Sequence, residues 1–301
     1  MMLMTDKPVC LTGGQGDLHG SLVTPGDNVL GEAILIWSGT GPTDRDGNGP
    51  SLHNNSIKML AHGLGEQGFY VLRTDKRGIA QSKSALKDEA EITFETFVED
   101  CCAWARHLKN ELRPNKIYLI GHSEGALVVT LAAQKMKFDA LVLLAGIGLK
   151  PAELLRRQLA GDQINLTADD LKKTLEIILS LEDGKKVENI EQDLMGQFRP
   201  SVQPYLISWF NYDPALELSK IEIPTLVIQG TQDLQVSGEN ADRLAAAKND
   251  AELCWIPNMN HVLKCASKES RQNYGTYNKP LLPLADGLLP KISQFFQKEQ
   301  T

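Results

Sequence analysis

The chain has 301 residues, 42% hydrophobic and 23% charged, the proportions of a globule that buries one large core and has room for an inserted subdomain. Its net charge of −7, with no basic run of five or more residues, speaks against a nucleic-acid or anionic-membrane surface. No apolar stretch approaches ~18 residues, the amino terminus lacks the apolar core of a signal peptide, and the five cysteines form no CxxC pair, so we expect reduced thiols and a cytoplasmic protein.

Residues 11–23 read as one or two antiparallel edge strands. A short apolar run at 33–38 reads as a strand and is followed by the loop SGTGPTDRDGNGP. Helical periodicity covers 56–66, and a second strand is expected at 70–74. Residues 93–112 carry apolar side chains at Phe94, Phe97, Val98, Cys101, Trp104 and Leu108, the stripe of an amphipathic helix. A strand at 116–120 leads into an Ala- and Leu-rich helix after Ser123, and a further strand covers 140–145. Strand, helix and strand return at 225–229, 238–248 and 252–256. This alternation predicts βαβ units and a mostly parallel sheet flanked by helices. It is interrupted at 150–213, where Thr167 and Asp170 mark a helix start and Leu171, Leu175, Ile178 and Leu179 form an apolar stripe. We therefore expect a core built from 1–149 and 214–301, with a helical cap inserted at 150–213.

Gly121-His122-Ser123-Glu124-Gly125 fits G-x-S-x-G between a buried strand and a helix. In that setting Ser123 is a candidate nucleophile, the alternative being a turn serine that caps the helix. A serine hydroxyl needs a base to take its proton and an acid to orient that base. His261 is the sole histidine after Ser123 and stands in the loop past the last expected strand. Asp233 follows the strand at 225–229, and Asp213 competes, although the proline after it suggests a helix cap. All three groups would emerge at the C-terminal rim of the sheet, where open α/β sheets bind ligands.

An oxyanion needs donors, and the backbone N–H groups of Glu124 and Thr40 are the candidates. Gly39 beside Thr40, His122 beside the nucleophile, and Trp209 and Phe210 of the insertion are candidate pocket residues. Leu155, Leu159, Phe198 and Tyr205 extend that apolar set. Asp44, Arg45 and Asp46 read as a self-contained ion-pair cluster that stiffens the loop. No histidine pair has metal-ligand spacing, so no metal is expected; a hydrolysis run by Ser123, Asp233 and His261 needs no cofactor either.

With these residues in view, the chain resembles the α/β-hydrolases. SGTGPTDRDGN is similar to the oxyanion loop of bacterial esterases in the serine-aminopeptidase-like branch, and RTDKRGIAQS to the segment D-x-R-G-x-G-x-S, with Ala80 in place of the second glycine. GHSEGA, YDPALELSKIEIPTLVIQGTQDLQV and NMNHVLK match the same branch, and the resemblance runs through most of 11–296. It implies an α/β-hydrolase fold and a hydrolase using Ser123, Asp233 and His261. The expected substrate is a small-molecule carboxylic ester with a small or medium acyl group. An aminopeptidase, which would use an acid of the insertion such as Glu153, Asp169, Asp170, Glu176 or Glu182 to hold an amino group, and a thioesterase are the alternatives. A binding protein without catalysis is a further one, against which the intact Ser, His and Asp set speaks.

Overall fold

The computed structural model describes residues 3–13, 16–160 and 167–298. The chain opens with an antiparallel pair, β1 (Thr5–Leu11) and β2 (Leu18–Thr24). Strand and helix then alternate through β3 (Ala33–Trp37), α1 (Ser56–Glu66), β4 (Tyr70–Thr74), α2 (Phe94–Leu112), β5 (Ile117–His122), α3 (Gly125–Lys135) and β6 (Ala140–Leu144). After β6 come α4 (Pro151–Ala160), α5 (Ala168–Glu182), α6 (Met195–Phe198), α7 (Gln203–Phe210) and α8 (Pro214–Leu218). The sheet resumes with β7 (Thr225–Gly230), α9 (Gly238–Ala247) and β8 (Glu252–Ile256), and α10 (Ser270–Gly275) and α11 (Leu288–Lys298) close the chain. No described helix is long and apolar enough to cross a membrane.

The strands form one sheet in the order β1-β2-β4-β3-β5-β6-β7-β8. β1–β2 and β2–β4 are antiparallel, and every other neighbouring pair is parallel. Side chains of a strand alternate between its faces, so a strand covered on both sides must be apolar throughout. That is why β3, β5 and β6 read as unbroken apolar runs. Leu35, Trp37, Leu119 and Leu143 point to the layer holding α2, α3 and the helices after β6. Ile34, Ile36, Tyr118 and Ile120 point to the layer of α1 and α11, where Tyr118 and Phe296 stack at 4.2 Å. Each such buried side chain contributes about 1.5–3 kcal/mol of transfer free energy.

The edge departs from the sequence reading. Only β2 falls within 11–23, and its partner β1 lies upstream. β1 is half exposed and mixes Thr, Asp, Lys and Pro, so no apolar run announces it. Pro8 is tolerated because an edge strand leaves alternate N–H groups unpaired.

The loop after β3 also departs from expectation. Asp44, Arg45 and Asp46 do not form a closed cluster. Arg45 reaches Asp75 at 2.6 Å, beyond the end of β4, and also donates to Gln81 and to the Gly20 carbonyl. Asp46 accepts from Arg73 of β4, which also binds Asp6 of β1. Asp44 accepts N–H bonds from Asp46 and Asn48. The charges therefore moor the loop to the sheet. Ala80, where the resembling segment carries glycine, sits at φ 46°, a left-handed conformation costing a non-glycine residue roughly 1–2 kcal/mol.

Candidate active site

β5 ends at His122, and Ser123 turns the chain into α3 at φ 56°. A serine in this strained region persists only where its surroundings over-determine it. Here the Ser123 N–H donates to the Leu144 carbonyl at 2.9 Å. The flanking glycines permit the close approach that the turn requires. A Cβ on Gly121 would lie 2.4 Å from the Gly125 oxygen, and one on Gly125 would lie 2.5 Å from the Trp37 oxygen. The turn thus lifts the Ser123 hydroxyl to the rim, at the end of β5.

There it meets His261. The Ser123 Oγ to His261 Nε2 distance is 3.1 Å, and His261 Nδ1 lies 2.8 Å from Asp233 Oδ2. A carboxylate only accepts, so Nδ1 carries the ring proton, and in the neutral ring Nε2 accepts from the serine hydroxyl. Asp233 Oδ1 accepts the N–H groups of Gln235 and Val236 at 2.8 and 2.9 Å, and Gln229 of β7 donates to Oδ2. Burial alone would raise the Asp233 carboxyl. The His261 charge and hydrogen bond, with the two backbone donors, outweigh that and hold it below the usual carboxylate range.

The loop bearing His261 is fixed by a buried amide network. Asn260 donates to Asn273 Oδ1 at 3.1 Å and to Thr276 Oγ1 at 2.7 Å, and its own oxygen accepts the Lys264 N–H. Asn273 in turn donates to the Gln232 carbonyl at 2.8 Å, which joins the His261 loop to the Asp233 loop. Asn260 belongs to the motif NMNHVLK. Asn273 and Thr276 carry no signal in the sequence, because their role exists only after α10 folds back. Asp213 stands apart from this network. It caps α8 through the N–H groups of Ala215 and Leu216 and pairs with Arg243 at 3.1 Å.

Thr40 and Glu124 flank the same rim. No described residue accepts a hydrogen bond from either backbone N–H. Lys76 donates to the Gly39 carbonyl, and the Thr43 hydroxyl donates to the Thr40 carbonyl at 3.1 Å, which sets the loop's course. His122 donates from Nε2 to the His261 carbonyl at 2.8 Å. Burial, and then the neighbouring His261, push its pKa down to about 3, so it stays a neutral donor.

Two cavities meet at Thr40, Leu155 and Gln158. The smaller, about 260 Å³, is lined by Gly39, His122, Ser123 and His261. The larger, about 570 Å³, is walled by Leu159, Phe198, Tyr205 and Trp209 from the insertion, together with Lys76 and Glu124. Phe210, expected in the pocket, lines neither cavity and packs in the core with its ring 6.1 Å from that of Trp209. On the short helix α7 it sits one residue past Trp209 and so points away from the cavity wall. None of Glu153, Asp169, Asp170, Glu176 or Glu182 lines either cavity. Glu153, Asp169, Glu176 and Glu182 pair instead with Arg157, Lys173, Lys172 and Arg156, and Asp170 bonds the Thr167 cap.

A mostly parallel sheet of this order with a serine at its strand–helix elbow defines the α/β-hydrolase class. The profile of the serine aminopeptidase S33 family matches residues 48–265, and the chain belongs to that family. It is 27% identical over 251 residues to esterase EstD of Thermotoga maritima, across 82% of this chain and 58% of EstD, so it spans little more than half of that relative. Among solved structures, Est1E of Butyrivibrio proteoclasticus with ferulic acid bound superposes with a TM-score of 0.61 at 19% identity, covering 94% of this chain and 96% of that one. A puromycin-hydrolysing peptidase of Mycobacterium tuberculosis gives a TM-score of 0.61 at 15% identity, over 99% of this chain and 39% of that one. These two likenesses are of fold.

Proposed function

We propose that the protein is a serine hydrolase of carboxylic esters, in which Ser123 attacks the ester carbonyl, His261 takes and returns the proton, and Asp233 orients the imidazole. The observation that carries this reading is the continuous hydrogen-bonded chain from Ser123 Oγ through His261 to Asp233, at 3.1 and 2.8 Å. Attack moves the hydroxyl proton to Nε2, and the imidazolium so formed is stabilised by the buried Asp233 carboxylate. The N–H groups of Thr40 and Glu124 receive the developing oxyanion, an interaction of about 3–4 kcal/mol per donor in comparable sites. His261 then protonates the leaving alcohol, and water, activated by the same base, hydrolyses the acyl-enzyme. In this reading the insertion acts as a cap that walls the acyl side. The name of EstD points the same way. An aminopeptidase reading is disfavoured because Glu153, Asp169, Asp170, Glu176 and Glu182 are engaged away from both cavities.

The test is covalent labelling with a fluorophosphonate, followed by intact-mass spectrometry, beside a panel of p-nitrophenyl esters, acyl thioesters and aminoacyl anilides. One adduct is expected, lost in Ser123→Ala, with turnover concentrated on the esters. Labelling of Ser123→Ala would falsify the nucleophile assignment, and faster turnover of the anilides or thioesters would move the substrate class.

A further inference from the structure

The two cavities have different partners in the reaction just proposed. His261 must deliver its proton to the leaving oxygen, so the alcohol side lies in the smaller cavity, beside His261, Val262 and Tyr277. Thr40 lines both cavities and Glu124 lines the larger, so an acyl group whose oxyanion sits between their N–H groups runs into the larger one. The walls there are mostly apolar, with Phe97, Leu159, Phe198 and Trp209 among them.

Glu124 and Lys76 are two of the polar side chains that interrupt that wall. Glu124 is 1% exposed, and its Oε2 accepts the Tyr205 hydroxyl at 2.6 Å. Its Oε1 is buried and has no partner among the described residues. A buried acceptor left without a donor is destabilising, and such atoms call for an explanation. Lys76 is 3% exposed and gives a hydrogen bond to the Gly39 carbonyl, which leaves further N–H groups on an ammonium that can make three. The other cations lining the cavity are committed: Arg77 to Asp100 and Arg199 to Glu89.

We propose that Glu124 and Lys76 form a polar subsite for an acyl group that carries a neutral hydroxyl close to the ester carbonyl. This rests on the reading of Ser123 as the nucleophile. A hydroxyl satisfies both side chains at once, donating to Glu124 Oε1 and accepting from Lys76 Nζ. A carboxylate on the acyl group meets the Glu124 charge, and an ammonium meets the Lys76 charge. A plain hydrocarbon leaves Oε1 unpaired. A site that holds a hydroxyl in this way rejects the analogue lacking it far more strongly than an apolar pocket rejects a missing methylene.

The experiment compares kcat/KM of the wild-type protein for p-nitrophenyl butyrate with the β- and γ-hydroxybutyryl esters, and with the corresponding amino- and carboxy-acyl esters. At least one hydroxy ester is expected to lead the butyrate by about tenfold or more. In Glu124→Met and Lys76→Met that ratio should fall towards one, whatever happens to the absolute rates. A ratio near one in the wild type for both isomers, a ratio unchanged in Glu124→Met, or a preference for a charged acyl group each overturns the subsite. Binding to Ser123→Ala provides a readout independent of turnover, through quenching of Trp209 by hydroxybutyramide and butyramide. Tighter binding of the hydroxy amide with no ester turnover anywhere sinks the esterase reading and keeps the subsite. Equal binding sinks the subsite.

Discussion

Asp233 and Asp213 show how two aspartates acquire different work. The Asp233 side chain is buried, receives two backbone donors and faces His261 Nδ1, whereas Asp213 spends its oxygens on the first turn of α8 and on Arg243. Asp233→Asn keeps the shape but lets the ring take the wrong tautomer. It is expected to lower kcat by roughly 10⁴-fold. Asp213→Asn should leave kcat within a few-fold, because asparagine also caps a helix, and Asp213→Ala should lower stability by about 1 kcal/mol. Steady-state kinetics and urea midpoints of the three variants check the pair of expectations. A large kcat loss in Asp213→Asn with an active Asp233→Asn reverses the assignment. Ser123 itself carries the cost of its φ of 56°, and the glycines around it remove the clashes that would otherwise forbid the turn.

Among the elements, the helices between β6 and β7 are held to the core by aromatic contacts, including Phe94 on Trp209 at 6.3 Å and Phe97 on Tyr205 at 5.7 Å. They share one apolar cluster with the strands, so side chains on them divide between holding the insertion down and facing the cavity. Phe198 and Trp209 wall the larger cavity, and Phe210 lies behind it. In the proposed reaction, removing bulk from the wall lengthens the space open to the acyl chain. Phe198→Ala and Trp209→Ala should move the preferred p-nitrophenyl ester to longer acyl groups, by a few kcal/mol of discrimination at most, while fluorophosphonate labelling of Ser123 persists. Phe210→Ala should leave the chain-length profile in place and cost about 3–5 kcal/mol of stability. An unchanged profile in both wall variants would mean that the sheet loops alone select the acyl group.

For the whole molecule, stability depends on pH through groups that the fold removes from water. Lys264 is fully buried, donates to the Leu282 carbonyl and touches Met59 Sδ at 2.9 Å. Burial pushes its pKa down to about 8, whereas an unfolded chain holds a lysine proton to about 10.4. Between those values the unfolded state binds more protons than the folded one, so the Lys264 contribution to stability rises with pH. Below about pH 8 both states are protonated and the penalty of the buried charge is fully present. Lys264→Met removes that titration. The difference in denaturation midpoint between the wild type and Lys264→Met should therefore shift in favour of the wild type from pH 8 to about 10.4, the slope staying under ~1.4 kcal/mol per pH unit. A difference that stays flat across this range contradicts the shift. Asp233 works in the opposite window: its lowered carboxyl contributes stability above the usual carboxylate range and loses it as the pH falls through its folded value.

Much of this architecture is legible in the sequence. Central strands covered on both faces must be largely apolar, so β3, β5, β6 and β7 stand out as hydrophobic blocks, and the helix periods between the strands point to a mostly parallel sheet. Elbow chemistry is local as well: the conformation that lifts Ser123 and the contact of Gly121 with Gly125 involve residues four apart. The amphipathic edge strand β1 escapes such a reading because exposed strands need no apolar run, and the side-chain partners of Arg45 are not its loop neighbours but residues 24 to 36 positions away. Charge pairing, cavity lining and the Asn260–Asn273 bridge depend on which distant segments the sheet brings side by side, and no period or spacing encodes that. The same holds for Glu124 and Lys76, 48 residues apart in the chain and joined in one cavity wall only because β4 and β5 both end at the same rim of the sheet.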